Sequence, residues 1–212
     1  MARMLPGGGL FQHIPRTGGT SVEKCLADAG FPIRRVFAWG DRSVIKKHAL
    51  LHHYTSRQRR HFQFIFAFVR HPVSYYESVW KWMDRVAGEH KSLKTRRWLF
   101  HRYSWHPFTD PCRFYHHEFG VWVKRMLKNE PAWCTRLFES YVGPEGVEIC
   151  HFIGRTEYLE RDLNIALGTL GLKEIRVAAK HNAISRPIDW DRKLRQRVIE
   201  SEIPTIRRFY DG

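Results

Sequence analysis

Seven consecutive residues, Pro15-Arg16-Thr17-Gly18-Gly19-Thr20-Ser21, carry the groups that an anion needs. Thr17, Thr20 and Ser21 offer hydroxyl donors, and Arg16 offers a charged fork. Gly18 and Gly19 let a ligand approach the backbone closely. The run follows a short apolar segment, Leu10 to Ile14, and precedes Val22, Cys25, Leu26 and Ala29 at helical spacing. A strand–loop–helix of this kind turns free backbone N–H groups toward a phosphate or sulfate. The G-x-x-x-x-G-K-[ST] pattern is absent, so the loop lacks the lysine and hydroxyl that hold a nucleoside triphosphate with magnesium.

A second set stands farther along. Arg70-His71-Pro72 closes the apolar run Phe62 to Val69, and Ser78 follows eight residues after Arg70. In an open α/β sheet, ligands collect at the carboxyl ends of the strands, where Arg70 would lie. Between the two sets is a basic, histidine-rich stretch with His48, His52 and His53. An imidazole that titrates near neutrality suits the removal of a proton from a hydroxyl. Each feature also has an ordinary structural explanation: a capped glycine turn, an arginine ending a strand, surface histidines.

In this order, the motifs resemble those of the sulfotransferases that use 3′-phosphoadenosine-5′-phosphosulfate (PAPS), nearest to the carbohydrate and heparan 2-O-sulfotransferase branch and its bacterial relatives. FQHIPRTGGTSVEKCL looks like that family's 5′-phosphosulfate loop, HIPKTGGTS, and FIFAFVRHPVSYYESVW looks like its 3′-phosphate element. IGRTEYLERDL and HNAISRP resemble two later family segments, so the likeness runs from about residue 10 to 210. The resemblance implies a P-loop-like three-layer fold and an enzyme that moves the sulfuryl group from PAPS to an acceptor hydroxyl. The acceptor would be a glycan or another polyhydroxylated molecule, and adenosine 3′,5′-bisphosphate would be the product. Arg16, Thr17, Gly18, Gly19, Thr20 and Ser21 would hold the 5′-phosphosulfate, and Arg70 and Ser78 the 3′-phosphate. The family loop carries lysine where this chain has Arg16, and that residue steadies the departing oxygen; arginine supplies charge but holds its proton too tightly to act as an acid. His53-Tyr54-Thr55-Ser56-Arg57-Gln58 resembles the relatives' H-x-T-A-x-Q, which makes His53 the base, with His48 and His52 as alternatives. In-line transfer of this type rests on positioning and charge stabilisation. No metal is expected, because no ligand cluster has metal spacing.

The elements that must position these groups can be read from period and punctuation. Strands are expected at Leu10 to Ile14, Ile33 to Phe37, Phe62 to Val69 and Val147 to Ile153. Helices are expected over about 22–29, 73–86, 116–127 and 132–142, after Thr156, and over 191–210 with a bend at Pro204. Trp80 and Trp82 on the second helix read as core or as neighbours of an adenine; Arg155 and Glu157 read as braces or as a helix start. Arg96, Arg97 and His101 read as a solvated basic face or as part of an acceptor channel. Alternation of strand and helix indicates an α/β fold, a central parallel sheet flanked by helices, in one domain spanning 1–212.

Lys and Arg number 36 against 21 Asp and Glu, a net charge of +15. That surplus favours an anionic ligand or acceptor. The same surplus fits a basic nucleic-acid-binding module, but no helix-turn-helix, zinc or RNA-recognition signature supports one, so no specific nucleic acid is expected. A P-loop nucleotide kinase lacks its lysine here; a relative that binds PAPS without catalysis remains an alternative. Cys25, Cys112, Cys134 and Cys150 are widely spaced and read as reduced thiols. Met1 to Gly9 is too short and glycine-rich for a signal peptide, and no apolar run spans a membrane, so a cytoplasmic location is expected.

Overall fold

Strands β1 (Arg3–Met4), β2 (Gly9–Gln12), β3 (Arg34–Arg35), β4 (Phe64–Val69) and β5 (Phe152–Arg155) form one sheet in the order β3-β1-β2-β4-β5. The computed structural model describes residues 2–36, 49–89, 111–177 and 188–211. Two compact units emerge: Met1–Arg70 with Phe138–Ala183, which holds the sheet, and His71–Leu137 with Ile184–Gly212.

In the first unit β2, β4 and β5 run parallel, with Phe11 opposite Phe66 and Val69 opposite Arg155. The expected all-parallel sheet is instead mixed, because β1 pairs antiparallel with both β2 and β3. The turn Pro6–Gly8 folds the amino terminus back into an edge strand only two residues long, too short to show a period. β4 is the aromatic run read from the sequence, and Phe66, Ala67, Phe68 and Val69 are fully buried, as a central strand requires. One face of the sheet, through Phe11, Phe66 and Phe68, packs on Val22, Cys25 and Leu26 of helix Gly19–Asp28. Leu159, Leu163, Ala166 and Leu167 of helix Leu159–Thr169 complete that core.

β5 begins later than expected, at Phe152. Gly143 and Gly146 both have positive φ, which turns the chain at 143–146 and leaves 147–150 outside the sheet. A Cβ at Gly143 would meet the Val147 carbonyl oxygen at 1.9 Å, so only glycine fits.

The second unit is helical: Pro72–Glu89, Phe119–Asn129, the start of Trp133–Val142, Arg192–Ser201 and Ile203–Tyr210. The expected carboxyl-terminal helix breaks at Glu202, before Pro204, which stands in the first turn of the last helix. Trp80 donates to the His116 carbonyl at 2.9 Å and packs edge-on against Phe119, so its ring serves this unit's packing. All four cysteines are buried, and none is in a disulfide. Among the described residues no helix is long and apolar enough to cross a membrane.

Candidate functional site

The loop after β2 is built to expose backbone donors. Arg16 has φ 65° and Gly18 φ 82°, so two left-handed residues bracket Thr17. The left-handed region costs a non-glycine residue about 1–2 kcal/mol, and such strain concentrates at functional sites. Helix Gly19–Asp28 then starts with Gly18 at its cap and no side-chain cap. The Gly18 carbonyl accepts from the N–H groups of Ser21 and Val22. The N–H groups of Gly18, Gly19 and Thr20 have no acceptor among the described residues. Three such donors at the positive end of a helix are an arrangement that suits an anion.

The side chains divide the work unequally. Thr20 is exposed, whereas Ser21 is buried. The Thr17 hydroxyl donates to the Ile14 carbonyl at 2.9 Å, so its proton holds the turn and is not available to an anion. Arg70, next after β4, donates from Nη1 to the Arg16 carbonyl at 3.3 Å. Its guanidinium therefore lies beside the loop, where it fixes the strained residue and brings a second cation to the same sheet edge. The Thr156 hydroxyl lies 2.8 Å from the Val69 carbonyl and 3.0 Å from the Thr17 carbonyl, tying the loop to the ends of β4 and β5. Arg155 ends β5 with its guanidinium 4.7 Å from the Tyr158 ring centre, and its N–H donates to Asp162 at 2.6 Å.

Three buried or half-buried ionisable groups, His13, Glu23 and Arg3, stand behind this loop, and sequence reading did not single them out. His13 Nδ1 is 3.1 Å from Glu23 Oε1, and Arg3 donates to the other Glu23 oxygen. Burial alone would raise the Glu23 carboxyl, but the hydrogen bonds from His13 and Arg3 prevail and hold it well below the usual carboxylate range. The His13 ring touches Gly19 so closely that an added Cβ would meet its Nε2 at 2.1 Å. The signal was the polar His13 within an apolar strand end; its partner, ten residues on, is set by helix packing.

The histidine-bearing segment is anchored at the same end of the sheet. Gln12, the last residue of β2, donates its side-chain amide to the Ala49 carbonyl. Tyr54 is buried against Phe62, and burial pushes its hydroxyl up to about 12. Within the turn Leu51–His53, the Leu50 N–H donates to His53 Nδ1 at 3.0 Å. A neutral ring that accepts at Nδ1 carries its proton on Nε2. His52 is exposed, and its ring meets that of His53 edge-on at 4.2 Å.

The structure thus brings Arg16 to Ser21 together with Arg70 and places the His52–His53 turn by way of Gln12. Ser78 belongs to the second unit, buried two turns into helix Pro72–Glu89. His48, Arg96, Arg97, His101 and the HNAISRP segment lie outside the described residues. The donor atoms of His116, His117 and Glu118 lie within 4.8 Å of one another, a grouping that spacing in the sequence did not suggest. No family model, curated protein or solved structure matches the chain.

Proposed function

We propose that this chain is a PAPS-dependent sulfotransferase of P-loop-like, three-layer α/β architecture that passes the sulfuryl group to an acceptor hydroxyl. The observation that carries the reading is the loop at 16–21, whose three backbone donors lack acceptors among the described residues and whose Arg16 is braced by Arg70. The donor set fits the cofactor: it is cationic, rich in N–H groups and set at a helix start, as a 5′-phosphosulfate requires. When bound, PAPS would supply the activated sulfuryl group. Gly18, Gly19 and Thr20 would cradle its 5′ end, and Arg16 would face the charge left on the departing phosphate. Arg70 would hold the 3′-phosphate, which separates this cofactor from ATP. His53 would receive the acceptor's proton, and charge stabilisation by arginine leaves no step that requires a metal. The basic surface favours an acidic or polyhydroxylated acceptor such as a glycan.

The test is ligand-induced stabilisation. A ligand that binds only the native chain raises its melting temperature, by an amount that grows with the logarithm of its affinity at a given concentration. Adenosine 3′,5′-bisphosphate is expected to raise it more than AMP or ATP at equal concentration. Equal shifts with AMP would remove the 3′-phosphate assignment, and no shift with any of them would remove the reading.

Arg70→Ala is expected to abolish that preference. Losing a charge-assisted contact costs about 1.5–3 kcal/mol, or roughly ten- to a hundredfold in affinity. Because Arg70 also braces the Arg16 carbonyl, AMP affinity should fall too, by a smaller factor. A variant that still prefers the bisphosphate would move the 3′-phosphate site away from Arg70.

A further inference from the structure

We infer that His13 stands beneath the loop as an imidazolium and lends its charge to the binding of the 5′-phosphate group. The inference rests on the phosphate-binding reading above and adds a residue to it. Three observations lead to it. His13 is 6% exposed, so the ring is withdrawn from solvent and the charges packed on it decide its state. Glu23, on helix Gly19–Asp28, faces Nδ1 at 3.1 Å; a carboxylate can only accept, so Nδ1 carries a proton in the neutral ring and the imidazolium alike, and the adjacent negative charge favours the imidazolium. Arg3, on β1, faces the other Glu23 oxygen and keeps that carboxylate ionised.

Arg3 and Glu23 alone would cancel. With a protonated His13 the trio carries one net positive charge, and the His13 ring is the member in contact with the loop, at Gly19. The apolar side of the ring lies against Phe11, with centres 5.8 Å apart, so little water screens it. Gly19 is required for this contact, since any Cβ there would overlap the ring. His13 is thus a positioning residue: it sets where the loop sits and the field in which an anion binds.

Titration calorimetry across pH separates this role from mere packing. AMP probes the 5′ site and 3′-AMP probes the other phosphate. His13→Gln, which keeps an N–H donor for Glu23 but no charge, is expected to weaken AMP by about tenfold or more, the size of one charge-assisted contact, and to leave 3′-AMP unchanged. The ratio of wild-type to His13→Gln affinity for AMP should fall as pH rises and His13 loses its proton. Glu23→Gln should move that fall to lower pH, because an amide no longer favours the protonated ring. Nitrogen-15 spectra of the wild-type imidazole, which need no variant, should show both ring nitrogens protonated at neutral pH. A neutral ring in those spectra, or His13→Gln binding AMP like the wild type, overturns the inference. Failure of the wild type to bind any of these nucleotides would instead overturn the functional reading itself.

Discussion

Glu202→Ala is expected to destabilise the protein by about 3–5 kcal/mol, from the cost of leaving several buried donors without an acceptor. Glu202 is fully buried between two helices of the second unit. One oxygen accepts from the Tyr76 hydroxyl at 3.0 Å and from the Cys134 N–H at 3.1 Å. The other accepts from the Thr135 N–H at 2.9 Å and its hydroxyl at 2.7 Å. The two N–H groups open helix Trp133–Val142, so a side chain from the break between two helices distant in sequence caps its first turn. Alanine would remove the acceptor of all four donors and leave a cavity behind them. For a chain of this size the melting temperature should fall by roughly 10 °C. Glu202→Gln keeps the volume and one acceptor oxygen, and should lose less. Burial raises the Glu202 carboxyl, against the opposing pull of its four hydrogen bonds. A group raised on folding binds more protons in the folded state, so its contribution is largest below the unfolded value and declines as pH rises through the folded one. The stability gap between wild type and Glu202→Gln should therefore narrow from mildly acidic to neutral pH. Denaturant unfolding of both variants measures this; a loss below about 1 kcal/mol for alanine would show that the network contributes no more than an average contact.

Such a network is illegible in sequence, and the reason is physical. Glu202 is more than sixty residues from Cys134 and Thr135, and its neighbours read as one basic helix. The break that delivers its carboxylate falls two residues before the proline that seemed to mark it. By contrast, helix Gly19–Asp28 and strand β4 were readable, because their apolar periods and their glycine, arginine and proline boundaries are local. The strand–loop–helix turn at 15–21 was readable for the same reason: its glycines and hydroxyls are consecutive. What local pattern could not tell is that the Thr17 hydroxyl is spent on the Ile14 carbonyl, or that His13 meets Glu23 and Arg3. The edge strands β1 and β3, of two residues each, take their structure from their partners and not from propensity.

On the proposed reaction, His53→Ala is expected to lower sulfuryl transfer by about 10²–10⁴-fold, the usual contribution of a positioned general base, with bisphosphate affinity almost unchanged. The base meets the acceptor's proton and not the nucleotide, so turnover and nucleotide binding should separate cleanly. The structure adds a condition. With Nδ1 accepting from the Leu50 N–H, the neutral His53 ring presents a proton at Nε2 and cannot receive another there. To act as a base through Nε2 it must give up that contact and move its proton to Nδ1, a change that acceptor binding would drive; catalytic hydrogen bonds often tighten only in the loaded enzyme. The rate should fall as pH drops through the histidine's range, because an imidazolium accepts nothing. His52 is the natural control: it is exposed, and its ring lies 4.2 Å from that of His53. If His52→Ala loses the activity and His53→Ala keeps it, the exposed ring is the base and His53 holds the turn through Leu50. If both keep full activity and His48→Ala does as well, histidine base catalysis in this segment is wrong. A chain that binds the bisphosphate yet transfers nothing, with or without these substitutions, would be a nucleotide-binding relative that has lost the chemistry, with Arg16 in place of the family's lysine as the first residue to restore.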